Sequence, residues 1–181
     1  MKRLLIVALV LFAGSALADK MYPSSSIYQL SAPLTNQAGV DHGLDVYAGH
    51  PVLVTMFYGS CRHTCPLLIE TLRSVERAAP DPKNLRVLMI SIDPDRDTVA
   101  ALAKIAQERR IDTSRWTLAR ADANQVRKLA ALLNIQYKQS PDGEFNHSSI
   151  ISVLTPMGEI AQQSAMLGKA DEGLVRALGQ R

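Results

Sequence analysis

The run Pro51-Val52-Leu53-Val54-Thr55-Met56-Phe57-Tyr58 stops at Gly59-Ser60 and gives way, past Pro66, to Leu68, Leu72 and Val75 at helical spacing. A continuous β-branched and aromatic run of this length reads as a strand buried on both faces, and such strands sit in sheets covered by helices. Pro66 suits the first turn of the following helix, where its missing N–H would go unpaired anyway. Pro80 and Pro82 end that helix. One strand–loop–helix unit of this kind demands further buried strands beside it.

The rest of the chain supplies them. Leu85–Ile92 reads as a second buried strand and Trp116–Ala119 as a third. Asp97 or Thr98 caps a helix with Val99, Leu102, Ile105 and Ala106 on one face, and Asp122 caps another with Val126, Leu129, Leu132 and Leu133 inward. Ser31–Thr35 and Val40–Leu44 flank an Asn36-Gln37-Ala38-Gly39 turn as an N-terminal hairpin. Ser148–Leu154 and Glu159–Ala165 alternate around Thr155-Pro156-Met157-Gly158 as a second hairpin. The polar stretch 19–30 reads as an extended arm, 141–146 as a loop, and 170–178 as a last helix. Strands alternating with helices predict an α/β chain: a thioredoxin-like fold with an N-terminal hairpin extension and a C-terminal β-hairpin insertion, spanning 31–181. Ligand sites in such sheets lie at strand carboxyl ends. With 47% hydrophobic residues and a net charge of +3 in 181 residues, disorder is excluded and one domain is expected. Two cysteines, Cys61 and Cys65, exclude a disulfide scaffold.

Residues 1–18 read differently from the remainder. Lys2 and Arg3 precede the apolar run Leu4–Ala13, which leads to Ala16-Leu17-Ala18. A basic start, a short apolar stretch and an A-x-A site form a secretory signal peptide cleaved after Ala18. The run is too short for the roughly 20 residues a bilayer requires, so no stable membrane insertion is expected. Cleavage removes two of the 20 basic residues and none of the 17 acidic ones, leaving +1. The basic balance is therefore poor ground for nucleic-acid binding. The mature chain is expected to be exported, periplasmic and monomeric.

The sharpest chemical signal is Cys61-Arg62-His63-Thr64-Cys65-Pro66, in the loop before a helix. Unpaired backbone N–H groups and the helix dipole favour thiolate over thiol there, as do Arg62 and a protonated His63. Such a pair is reactive, metal-binding or both. As a structural disulfide it would close only about five residues, for roughly 2 kcal/mol in the chain-entropy model. Among the histidines, His42 and His50 read as loop residues and His63 lies between the cysteines. His147 precedes a strand, and spacing alone does not bring it to the sulfurs. Met56, Met89, Met157 and Met166 read as filler rather than ligands.

Three ordered stretches carry a resemblance. Val52 to Pro66, ending in C-x-x-x-C-P, is similar to the strand and dithiol loop of the Sco/SenC family of thioredoxin-like copper proteins. Ile90-Ser91-Ile92-Asp93-Pro94-Asp95-Arg96-Asp97-Thr98 resembles its second-strand signature. Asn146-His147-Ser148-Ser149-Ile150-Ile151, followed by Pro156-Met157-Gly158-Glu159, resembles its histidine-plus-hairpin segment. The resemblance begins near Ser31 and runs almost to the C-terminus.

It implies that Cys61, Cys65 and His147 bind one copper ion, Cu(I) or Cu(II), with Asp93 as an extra or supporting group. Thiolates are soft and suit Cu(I), and imidazole serves either oxidation state. It implies delivery of copper to the binuclear copper centre of cytochrome c oxidase or a similar copper enzyme, with an oxidase subunit as the acceptor. The alternative is a thiol-disulfide oxidoreductase, with a thiol reductant as partner. Cys61, the more exposed sulfur by its place before the helix, would then attack the client disulfide. A peroxidase of the same fold is disfavoured, because no P-x-x-x-T-x-x-C stretch precedes either cysteine. Where the family carries acidic or small residues between the cysteines, this chain has Arg62 and His63, and Asn146 stands where an acid commonly precedes the histidine.

Overall fold

A computed structural model describes residues 22–61 and 64–180, with the backbone alone for Thr64 and Cys65. The expected strand over 51–58 is β3 (Val52–Phe57), buried at every position. It is an interior strand of a sheet that, among the described residues, holds seven strands in the order β2-β1-β5-β4-β3-β8-β9. β4 (Arg86–Ser91) and β5 (Trp116–Arg120) run parallel to β3. β8 (Ile151–Leu154) and β9 (Ile160–Ser164) extend one side antiparallel, with a bulge between Val153 and Leu154. β1 (Leu34–Asn36) and β2 (Asp41–His42) close the other side as the N-terminal hairpin.

The helices follow the crossover rule. α1 (Thr64–Ala78) links β3 to β4, and α2 (Val99–Glu108) links β4 to β5. Both crossovers step the same way across the sheet, so right-handedness puts both helices on one face. α4 (Glu172–Leu178) joins α1 there, while α3 (Ala123–Leu132) follows β5 and leads the chain on toward β8. Thr98 and Asp122 are the N-caps of α2 and α3. Leu68, Leu72, Val75, Leu102, Val126, Leu129 and Leu174 point into one continuous core with β3 and β4. Leu132, expected inward, is 44% exposed, because α3 turns Leu129 and Leu133 to the sheet instead.

Two segments differ from the sequence reading. The arm 19–30 is not simply extended where it is described. Ser26 caps a 3-10 turn at Ile27–Gln29, and Ile27 and Tyr28 are buried. The Ile27 N–H donates to Gly158 O at 2.9 Å, docking the arm on the β8–β9 turn. Gly158 has φ +81°, and a Cβ there would lie 2.5 Å from both Ser26 Oγ and Tyr28 Cδ2. That close approach joins residues far apart in sequence, which local polarity does not reveal. The stretch 141–146 is likewise not a free loop. β6 (Tyr137–Gln139) and β7 (Phe145–His147) pair antiparallel as a small hairpin outside the main sheet. His147 ends β7 and does not begin the β8 strand. The signal-peptide reading of 1–18 lies outside the described residues.

Candidate metal and thiol site

Three chain segments meet beyond the carboxyl ends of β3 and β4. The first is Tyr58-Gly59-Ser60-Cys61, where the Cys61 N–H donates to Tyr58 O at 3.3 Å. Asp97 holds this turn. Its carboxylate accepts the Gly59 N–H at 3.1 and 3.0 Å and the Ser91 hydroxyl. Gly59 is required by close approach, since a Cβ would sit 2.4 Å from Asp97 Oδ1 and 2.9 Å from Ile105 Cδ1. Burial pushes the Asp97 carboxyl above its ordinary value, and the Ser91 and Gly59 hydrogen bonds pull the other way. Of the two cap candidates, Asp97 and Thr98, Thr98 takes that role and leaves Asp97 to hold the cysteine turn.

The second segment is the β4–α2 loop. Asp93, 5% exposed, pairs with Arg96, and its N–H donates to Ser91 Oγ at 2.9 Å. Arg96 in turn donates to Gly143 O and lies over the Phe145 ring at 5.8 Å. It therefore ties this loop to the third segment, the β6–β7 hairpin.

The hairpin brings His147 to the cysteine turn through Tyr58. The Tyr58 and His147 rings meet edge-on at 5.6 Å, and Phe145 lies 5.4 Å from Tyr58. The Tyr58 hydroxyl lies 3.1 Å from Glu144 Oε2 and hydrogen-bonds Cys61. Burial, first, and these two hydrogen bonds hold the phenol above its ordinary value, so it remains protonated. His147 Nδ1 lies 3.3 Å from Ser148 O. A carbonyl only accepts, so Nδ1 carries the proton and Nε2 keeps the lone pair a metal would use. Burial lowers the His147 pKa and favours that neutral ring.

Of the sequence-predicted residues, Cys61 and His147 thus share Tyr58 as a neighbour, and Asp93 reaches the hairpin through Arg96. Cys61 is buried, at 9% exposure. The Cys65 side chain and His63 lie outside the described residues. Among the described residues no three His, Cys, Asp or Glu side chains form a metal-sized group. His42 is half-buried in β2, edge-on to Tyr47 at 5.7 Å, and His50 bonds Asn84 at 2.5 Å; neither is near the cysteine turn. Met56 and Met89 are core, while Met157 and Met166 are 44% and 42% exposed. Sequence reasoning missed Tyr58, Glu144 and Arg96. Position in the motifs was the available signal: Tyr58 and Glu144 each stand three residues before a candidate ligand.

Residues 26–177 match the SCO1/SenC family model. The chain belongs to the SCO1/SenC family. The match starts at the docked arm, ahead of the Ser31 start expected from sequence. The mitochondrial SCO2 homologue of Bos taurus is 30% identical over 120 residues, 62% of this chain and 44% of that protein. The chain thus matches less than half the length of this curated relative. ScoI of Bradyrhizobium japonicum, solved with copper bound, superposes with a TM-score of 0.68 at 22% identity, covering 82% of this chain and 95% of that one. BsSco, a member of the Sco family of cytochrome c oxidase assembly proteins in which a disulfide switch was identified, gives 0.62 at 19%, covering 72% and 78%. These superpositions establish the thioredoxin-like fold.

Proposed function

We propose that this Sco-family protein is an exported copper chaperone in which Cys61, Cys65 and His147 hold one copper ion for transfer to a copper enzyme, the binuclear centre of cytochrome c oxidase first among candidates. The observation that carries the reading is the meeting of the Cys61 turn and the His147 hairpin on the two sides of Tyr58. Two thiolates and a neutral imidazole suit Cu(I) and leave room for an incoming acceptor ligand. Asp93 acts from behind, through Arg96, by holding the hairpin in reach. The copper-bound state of ScoI and the oxidase-assembly role of the BsSco family support this reading. Lys2-Arg3, the Leu4–Ala13 run and Ala16-Leu17-Ala18 support export to the periplasm with cleavage after Ala18. No helix among the described residues is long and apolar enough to cross a membrane. We take the mature protein as a monomer.

The same dithiol at the start of α1 supports the second reading, reduction of client disulfides with Cys61 and Cys65 alternating between dithiol and disulfide. The disulfide switch of BsSco favours keeping it.

An anaerobic Cu(I) competition titration of the reduced protein against a chromogenic chelator separates the two. Tight 1:1 binding that weakens by an order of magnitude or more in Cys61→Ser, Cys65→Ser and His147→Ala is expected for the chaperone. Binding indifferent to His147→Ala, with disulfide reduction intact, would leave only the dithiol reading.

A further inference from the structure

Tyr58 is 5% exposed, and side chains from two segments converge on it. Its hydroxyl meets Glu144 Oε2 at 3.1 Å and the Cys61 side chain, while its ring braces His147 at 5.6 Å. A phenol has one proton to donate and lone pairs to accept with. Glu144, as a carboxylate, only accepts. When Glu144 takes the phenolic proton, the oxygen is free to accept from a Cys61 thiol. A sulfur that binds a metal ion is a thiolate and also only accepts. Cys61 then competes with Glu144 for the single proton of Tyr58.

Resting on the copper reading above, we propose that Tyr58 is a positioning residue that brackets the two kinds of copper ligand, its O–H hydrogen-bonding the Cys61 sulfur and its ring bracing His147, and that Glu144 sets how much of that hydrogen bond the sulfur receives. A hydrogen bond to the sulfur withdraws density from its lone pairs and weakens its donation to the metal. Hydrogen bonding at the cysteine sulfur is a recognised control on copper sites, and outer partners of metal ligands commonly set affinity as well as orientation. Glu144 is exposed and Tyr58 is buried, so the carboxylate acts from the solvent side as a brake on the inner hydrogen bond.

The test has an opposite-sign signature. The reduced protein is loaded with Cu(II) anaerobically and its sulfur-to-copper charge-transfer band is recorded. Tyr58→Phe keeps the ring against His147 and removes the O–H, so the sulfur donates more readily and the band is expected at longer wavelength. Glu144→Ala removes the competing acceptor at an exposed position, so the band is expected at shorter wavelength. The double variant is expected to follow Tyr58→Phe, because without the O–H the carboxylate has nothing to withhold. Unmoved bands, or single variants that shift the same way, would overturn the proposal while leaving the copper reading in place. A wild-type protein with no Cys61-dependent band would overturn the copper reading and this proposal with it. Should Tyr58→Phe fold poorly, the Glu144→Ala shift decides: a shift to shorter wavelength supports the proposal and no shift overturns it.

Discussion

The two walls of the site are built by different means. The cysteine turn grows directly out of β3, whose residues are all buried, and its backbone is gripped by Asp97 through the Gly59 N–H. The histidine wall is a two-stranded hairpin outside the main sheet. It is fastened by side chains: Arg96 to Gly143, Arg96 over Phe145, and Tyr58 against Glu144, Phe145 and His147. A short hairpin has little stability of its own. The sulfur wall therefore shares the stability of the whole domain, while the imidazole wall stands or falls with a few contacts. Under the proposed copper reading, that division puts the imidazole on the more adjustable element.

The largest effect should come from the sheet that carries the sulfur wall. Leu88 in β4 is fully buried, and Leu88→Ala is expected to cost about 2–5 kcal/mol of global stability by denaturant unfolding. A cost under 1 kcal/mol would mean that the wall does not depend on the core as described. Next comes Gly59→Ala, which drives a methyl into the Asp97 carboxylate and Ile105. It is expected to cost about 1–3 kcal/mol and to alter cysteine reactivity toward a thiol reagent; unchanged stability and reactivity would show that the turn yields freely.

Arg96→Ala sharpens the contrast from the other wall. Its guanidinium is partly exposed, so the expected loss is about 1–2 kcal/mol and local. Amide exchange should speed up across 137–147 while β3 and β4 stay protected. Loss of protection spread evenly over the domain would refute the division into two walls.

The smallest effect concerns pH. Burial raises the Asp97 pKa above 3.8, so folding favours its protonated form. Stability from this group is present below 3.8 and declines as pH rises through the raised folded value. Asp97→Asn is expected to flatten that part of the stability profile, measured by thermal unfolding across pH. A slope identical to wild type would place the dependence elsewhere.

Much of this was legible in residue order. The β3 run, the Pro66 helix start, the Asp122 cap and the β8–β9 hairpin all rest on local rules, because strand period, helix spacing and caps act over a few residues. The small β6–β7 hairpin was not legible, since three-residue strands carry too little pattern and its anchor, Arg96, lies on another loop. The docking of Ile27 on Gly158 escaped for the same reason.

By itself, the sequence determined the α/β order, the place of Cys61 in the strand-to-helix loop and of Cys65 at the start of the helix, and the three motifs that mark the family. Tertiary structure alone decided that His147 comes beside the Cys61 turn, that Asp97 serves that turn and not a helix end, and that Tyr58 stands between the two walls. The physical reason is range. Backbone periodicity and capping are settled among near neighbours in the chain, whereas a site assembled from β3, the β4–α2 loop and a detached hairpin exists only once the sheet has brought their ends together.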